Sequence, residues 1–579
     1  MATLAHLREP LFVGNLRKRW KSLLLQREDQ VFLILALLIG ALVGLTVVAF
    51  ILVTERLGMK LYPVGSAAWR RILMPIAGAL SMGYLLYKYF PDARGSGVPQ
   101  TKAALFARGG VISLRTVLGK FFCTSVTLAS GIPLGREGPS VQVGAGIGSV
   151  LGRHLGLSPG KVKQLIPVGA AAAIAAAFNT PMAAVLFALE EVMGDLHAPV
   201  LGSVVLASAT SWAVLRLLLG NNPLFQVPQY SLVHPVEFGF YAVLGILGGL
   251  LSAAFTRLLL DLRSWFFRLP IRTRWAQPLV GGVLVALMGW AVPQAMGVGY
   301  TYVGDALNGS MALKLMLLLV VLKFFGVVTS YASGNAGGIF GPSLFLGAML
   351  GGALGSILHT WFPAYTATPG AYALVGMGAL FAGIVRAPMT SVLMIFEMTR
   401  DYQVIVPLMI ANMISLFISQ WLQHEPIYEG LAQQDGIHLP TIRTRAETEQ
   451  RKVPSIMRPA LEVLSAEMTI DAALGQAAAS PGRAWPVMEG ERILGLATRV
   501  MLEDAQARQL GDRTLSTLLR GVHFPHMHPD QPLALVLERM TTAHVDLLPV
   551  VSRADIHVLE GIVTLHDVLQ TYGMDDKHS

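Results

Sequence analysis

The sequence predicts an all-α polytopic membrane protein, built as a two-fold repeat with broken helices and followed by a small α/β tail that is itself a repeat. Three observations carry this reading. The chain is 53% hydrophobic and only 14% charged, with a mean hydropathy of +0.56, so its solvent is mostly lipid. Apolar runs at 31–53, 238–254 and 313–328 are long enough to cross the roughly 30 Å hydrocarbon core, while others are shorter and cut by glycine, which predicts half-spanning helices. Finally, Gly135-Arg-Glu-Gly-Pro-Ser140 recurs as Gly338-Ile-Phe-Gly-Pro-Ser343, and Gly144, Gly148 and Gly152 recur as Gly347, Gly351 and Gly355, all at an offset of 203.

Taken in order, residues 1–28 carry Arg8, Arg17, Lys18, Arg19, Lys21 and Arg27 and read as a basic amphipathic segment on the inner membrane face. No cleavable signal is visible, because the first apolar run begins near residue 31, and the positive-inside rule puts this N-terminus in the cytoplasm. Membrane helices follow from about 30 to 90. Arg94-Gly-Ser-Gly-Val-Pro-Gln100 then interrupts the pattern, with Ser96 offering a hydroxyl beside freed backbone amides; a plain turn would look much the same.

The next interruption is the most informative. Gly131-Ile-Pro-Leu-Gly-Arg-Glu-Gly-Pro-Ser140 places Arg136 and Glu137 in otherwise lipid-like sequence, and glycine or proline at five of its ten positions excludes a continuous helix. Unpaired amides at membrane depth are tolerated only around a protein-lined cavity. Gly138-Pro-Ser140 reads as a helix start, whose free N–H groups and partial positive charge suit an anion, and Glu137 sits where that anion would sit. The alternative is a buried Arg136–Glu137 structural pair.

A second block of the repeat runs from Val168, Gly169, Pro181, Met182, Val185, Leu186 and Glu190 to Val375, Gly376, Pro388, Met389, Val392, Leu393 and Glu397, at an offset of 207. Glu190 thus has a counterpart and reads as structural, an acceptor for loop amides. Glu191 has none, since Met398 stands in the matching place, and is the better functional candidate; the alternative is a glutamate facing water at a helix end. Repeated halves with interrupted helices at matching positions mark a transporter or channel that binds its substrate near the bilayer midplane.

Residues 404–422 form the last membrane run, and Tyr428 follows it as either an interfacial anchor or a site residue. Residues 429–452 are polar and read as a linker. In the tail, Trp485-Pro-Val…Gly495-Leu-Ala-Thr498 is echoed by Leu548-Pro-Val…Gly561-Ile-Val-Thr564, each predicting two strands and then a helix opened by threonine. Cys123 is the only cysteine, so no intramolecular disulfide or thiolate metal cluster is expected. The net charge of +9 is scattered and fits loops facing anionic lipid better than nucleic acid, which is not expected as a partner.

Together these residues resemble the CLC family of chloride channels and chloride/proton antiporters, from about 30 to 571. Gly95-Ser-Gly-Val-Pro99 looks like the family's first anion-binding loop, Gly135-Arg-Glu-Gly-Pro139 its gating-glutamate loop, Gly338-Ile-Phe-Gly-Pro342 its third, and Tyr428 its central tyrosine. The tail is similar to a pair of CBS domains. The resemblance implies a membrane domain over 29–428 with inverted halves at about 29–220 and 235–428, CBS domains at 453–510 and 511–572 and a terminal stretch at 573–579. It also implies a homodimer with one pathway per subunit in the cell inner membrane, both termini cytoplasmic.

By the same resemblance Ser96, Gly97, Ile339, Phe340 and Tyr428 bind chloride, Glu137 gates and couples, and Glu191 takes protons from the cytoplasm. Lys102 is expected near Glu191. No cofactor is expected, except that the CBS pair is a candidate for an adenine nucleotide through Thr564 and Asp567; Met501 stands where Asp567 would have its mate, and both residues could simply cap a helix.

Elementary electrostatics agrees. An ionised carboxylate carries the charge of chloride and similar hydrogen-bond demands, so a helix-end site for the anion also holds Glu137, and protonation releases it. Arg136 is not expected to touch the ion, because a full positive charge would trap chloride where partial charges let it leave. The alternatives are a passive chloride channel, a cation-coupled solute transporter, which would need extra carbonyls or carboxylates, and an acid–base membrane enzyme, for which nucleophile-elbow, metal and Walker motifs are missing from the sequence.

Overall fold

The computed structural model describes residues 28–439, apart from 64, 197–199, 222, 226, 229, 231 and 438, and residues 452–571, apart from 461, 479–481 and 544. The amphipathic segment expected before residue 28, linker residues 440–451 and the terminal stretch from 572 lie outside the described residues. The chain divides into two compact units between Leu439 and Pro440.

Helices build the first unit. Its first half comprises α1 (Glu28–Leu61), α2 (Ala68–Lys88), α3 (Val98–Phe106), α4 (Leu114–Ala129), α5 (Glu137–His154), α6 (Pro159–Phe178), α7 (Pro181–Phe187) and α8 (Leu201–Leu219). The second comprises α9 (Glu237–Arg268), α10 (Pro278–Ala291), α11 (Tyr300–Leu307), α12 (Leu313–Ala332), α13 (Phe340–Trp361), α14 (Pro369–Val385), α15 (Pro388–Thr399) and α16 (Ile405–Leu422), and α17 (Ile427–Gln434) closes the unit. Each helix of the first half has a counterpart eight places on, from α1 with α9 to α8 with α16. Among the described residues, seven helical segments are long and apolar enough to cross a membrane. Large apolar side chains such as Leu217, Phe417 and Trp421 lie on the outside, as a lipid solvent requires.

The register of the repeat is written in glycines. At the α5–α6 crossing, a Cβ on Gly144 would stand 2.3 Å from the Gly169 carbonyl oxygen, and one on Gly169 would stand 2.1 Å from that of Gly144. The α13–α14 crossing repeats this with Gly347 and Gly376, at 2.2 and 2.3 Å. Only glycine lets these backbones approach so closely. The halves meet about a local two-fold: Gly135 N–H donates to Gly338 O and Gly338 N–H to Gly135 O, both at 2.7 Å in antiparallel sense. Two residues related by the repeat and bonded reciprocally are what an inverted pseudo-symmetry produces.

Proline opens α3, α6, α7, α10, α14 and α15, where its missing N–H costs nothing. The expected boundary at 428/429 is corrected by α17, which runs on to Gln434 because Ile427, Tyr428, Leu431 and Ala432 form one buried apolar face. The residues Glu429–Gln434, read as linker, therefore belong to the membrane unit.

In the tail, β1 (Leu464–Ser465) pairs in parallel with β2 (Ala484–Glu489), which pairs antiparallel with β3 (Arg492–Thr498), while β4 (Leu547–Val551) and β5 (Leu559–Thr564) form an antiparallel pair. Thr498 accepts the Met501 N–H at 3.2 Å and so caps the helix that follows β3.

Candidate functional site

Four interrupted loops touch one another at the centre of the membrane unit. A Cβ on Gly97 would lie 2.2 Å from Gly138 O, and one on Gly138 would lie 2.5 Å from Ser96 O, so the 95–97 loop rests on the start of α5. Gly97 also has a φ of +106°, open to glycine and strained for other residues. The loop ahead of α13 joins through the Gly135–Gly338 bonds, and the loop ahead of α11 through Tyr300, whose hydroxyl lies against Gly341.

Glu137 opens α5 and is fully buried. Its Oε2 accepts the Gly341 N–H at 3.2 Å in the first turn of α13, and its Oε1 accepts the Tyr300 hydroxyl. The carboxylate thus occupies a helix N-terminus, an environment that equally suits a free anion. Arg136 does not pair with Glu137; its guanidinium reaches Glu55 at 3.0 Å and lies over the Tyr300 ring. The expectation that Arg136 stays off the ion path fits this geometry.

The other predicted donors are free. Ser96 Oγ and Tyr428 Oη are buried and have no protein hydrogen-bond partner, so both hydroxyls are available to an anion. Among the described residues, neither Ile339 N–H nor Phe340 N–H has a protein acceptor. Gly97, expected in the same site, has its N–H turned to Gln100 Oε1 at 2.9 Å in a capping box at the start of α3. The Phe340 ring packs against Phe178, Phe187 and Phe381, with centroids 4.9, 5.5 and 4.4 Å away, and holds the start of α13 in place.

Glu190 and Glu191 lie on a single π-helical turn, Ala188–Met193, that extends α7. Such turns are rare and recur at functional positions. The wider turn lets neighbours in sequence diverge. Glu190 accepts Thr390 N–H at 2.8 Å and Met389 N–H at 3.3 Å at the start of α15, and its mate Glu397 accepts Ala183 and Met182 N–H at 2.7 and 3.1 Å at the start of α7. Glu191 instead binds Lys102 Nζ at 2.9 Å, as expected, and the same ammonium binds Glu429 at 2.5 Å.

The profile of the voltage gated chloride channel family matches residues 77–420, and the CBS domain profile matches residues 521–573. The chain belongs to the voltage gated chloride channel family. It is 33% identical over 413 residues to the H(+)/Cl(-) exchange transporter ClcA of Vibrio cholerae, covering 69% of this chain and 88% of that protein, and 35% identical over 416 residues to the ClcA of Cronobacter sakazakii. Among solved structures, a slow cyanobacterial Cl-/H+ antiporter is similar at a TM-score of 0.65 and 27% identity over 70% of this chain and 97% of its own. A eukaryotic CLC transporter shares the fold at a TM-score of 0.69 and 21% identity, over 93% of this chain and 97% of its own.

Within this CLC chain several site residues escaped the sequence reading. Lys120 donates to the carbonyls of Ala93 at 3.0 Å and Gly95 at 2.5 Å and holds the Ser96 loop; Lys323, exactly one repeat offset of 203 away, donates to Ala295 at 3.4 Å and Gly297 at 2.5 Å and holds the Tyr300 loop. That shared offset was the signal that could have found them. Tyr331 accepts the Ser96 N–H at 3.1 Å and carries no such mark.

In the tail, Thr564 Oγ1 donates to Asp567 Oδ2 at 2.7 Å while Asp567 N–H returns to Thr564 Oγ1 at 3.3 Å, and Arg458 pairs with the other carboxylate oxygen. The pair is a helix cap, and Asp567 is already engaged on both oxygens.

Proposed function

We propose that this chain exchanges chloride for protons across a bacterial inner membrane, as a homodimer with one pathway per subunit and both termini in the cytoplasm. The observation that carries the reading is Glu137, a carboxylate seated on the first-turn amide of α13 beside two buried hydroxyls, Ser96 Oγ and Tyr428 Oη, that lack partners. Ion exchangers of the same family at 33–35% identity support it.

The steps follow from charge. Chloride held by the Ser96 and Tyr428 hydroxyls and the Ile339 and Phe340 amides meets partial charges only, so it binds and can leave. Ionised Glu137 competes for the neighbouring position. When Glu137 takes a proton from outside it no longer resembles an anion, gives up the Gly341 amide, and admits chloride. The proton then passes inward to Glu191, and the two fluxes are coupled because one side chain serves both. Glu191 favours the exchanger over the passive channel, because a channel has no need of a buried inner proton acceptor. For the tail, the cap geometry of Thr564 and Asp567 leaves an adenine-nucleotide site supported only by the CBS resemblance.

The test is transport by purified protein in liposomes. Under a chloride gradient alone, wild type should move protons uphill, and Glu137→Gln should abolish proton movement while chloride flux survives. Full proton transport by Glu137→Gln would remove the reading, and a wild type that dissipates the gradient with no proton movement would make the protein a channel.

A further inference from the structure

We infer that Glu191 is one half of a two-carboxylate proton acceptor, in which Glu429 is the entrance facing the compartment that holds the tail. This rests on the exchanger reading and goes beyond it, since Glu429 lies just past Tyr428 in what the sequence presents as linker. Lys102 Nζ, on α3, sits between Glu191 Oε1 at 2.9 Å and Glu429 Oε1 at 2.5 Å. Lysine and Glu191 side chains are each 9% exposed and Glu429 is 21% exposed, so Glu429 is the member of the triad that solvent reaches most easily.

Charge counting gives the triad its function. Two ionised carboxylates and one ammonium carry a net charge of −1 in a largely buried position, and uncompensated buried charge is costly. One added proton makes the triad neutral. The neighbours leave that balance unchanged: Arg386, which donates to the carbonyls of Gln423 and His424, sets a positive charge against Glu429, Glu190 at the start of α15 adds a negative one toward Glu191, and Tyr428 adds none. Those are the ionisable groups that face the triad from the π turn, from the end of α14 and from α17, alongside Lys102 on α3.

The transfer balances without any further reactant. A hydronium ion protonates Glu429: one of its O–H bonds breaks as an O–H bond forms on the carboxylate, and a water molecule leaves. An Nζ–H bond of Lys102 breaks as its proton forms an O–H bond on Glu191 Oε1, and the Glu429 proton restores the ammonium. Lys102 ends as it began, one proton has moved from Glu429 to Glu191, and Glu191 is charged to pass it toward Glu137.

The measurement is simultaneous chloride and proton flux in proteoliposomes of the full chain under a chloride gradient. Glu429→Gln, which preserves shape and a bond to Lys102, should lower proton flux about tenfold or more relative to chloride flux. Glu429→Asp should restore most of the loss. The Glu191→Gln, Glu429→Gln double variant should be no worse than Glu191→Gln alone, because both act in one relay. A wild-type proton/chloride ratio in Glu429→Gln, or a double variant whose losses multiply, overturns the inference while leaving the exchanger standing. Should Glu429→Gln not fold, the Asp variant decides: a shifted pH dependence of the proton/chloride ratio with intact chloride flux supports the relay, because the shorter carboxylate is drawn back from Lys102, and a ratio and pH profile equal to wild type overturn it. A wild type that moves no protons sinks the exchanger reading itself, and this inference with it.

Discussion

Tyr300 shows how much one hydroxyl can decide. It stands at the start of α11, the counterpart of α3, so the two halves present matching loops to different parts of the site: one carries Ser96 and the other brings the Tyr300 hydroxyl to Glu137. The ring also lies under the Arg136 guanidinium, which Glu55 holds from α1, so the phenol is fixed from two sides. A hydrogen bond to a charged group contributes about 1.5–3 kcal/mol, enough to change an equilibrium by roughly 10–100-fold. Tyr300→Phe removes only the hydroxyl and should therefore loosen Glu137 from its seat. The expected outcome is faster chloride flux at neutral pH with proton coupling retained; stopped-flow or electrode measurements of efflux check it, and an unchanged rate would mean that the Gly341 amide alone sets the hold. Ser96→Pro should in turn lower chloride preference over nitrate, because it deletes an unpaired buried hydroxyl, and the anion selectivity ratio reads this out directly.

At the scale of helices, the reciprocal caps of Glu190 and Glu397 bind the two halves to each other rather than each to itself. Each carboxylate accepts two first-turn amides of its counterpart's helix, where the helix dipole adds to the hydrogen bonds. Glu190→Gln and Glu397→Gln should each cost about 1–3 kcal/mol and by similar amounts, seen as a lower melting temperature in detergent, with the chloride rate per folded protein retained. This symmetry was legible in the sequence because backbone contact at Gly144–Gly169 and Gly347–Gly376 tolerates no side chain, which keeps those glycines in register. The π turn was not legible: it comes from how α7 meets its surroundings, and Glu190 and Glu191 read locally as an ordinary helix end. Tyr300 was hidden for a different reason. Its counterpart at the repeat offset is Gly97, so the comparison that exposed Ser343 and Glu397 had nothing to show there. Gly97 was legible as a special position, and the structure shows what demands glycine there: a left-handed backbone and the closeness of the Gly138 carbonyl oxygen.

For the molecule as a whole, the division between Leu439 and Pro440 separates a membrane unit that contains every anion and proton residue named above from a tail with its own apolar cores. The tail should therefore be adjustable without touching the transport chemistry, and its stability should respond to pH through His526. This ring is half-buried between Phe524 and His528, at centroid distances of 5.4 and 5.1 Å. Burial depresses its pKa below the usual histidine value, with His528, Arg539 and His523 pushing the same way against a bond to the Phe524 carbonyl. The folded tail thus binds the proton more weakly than the unfolded chain, whose histidines titrate near pH 6.5. Stability from this site is fully present above that pH and is lost as the pH falls through it toward the depressed folded value. Hydrogen exchange of the β4–β5 segment in the full-length protein should accordingly speed up between about pH 7.5 and 5.5, after correction for the intrinsic pH dependence of exchange. His526→Gln should flatten that change. Equal acid sensitivity in the variant would assign the effect to His523, His528 or the tail's carboxylates instead.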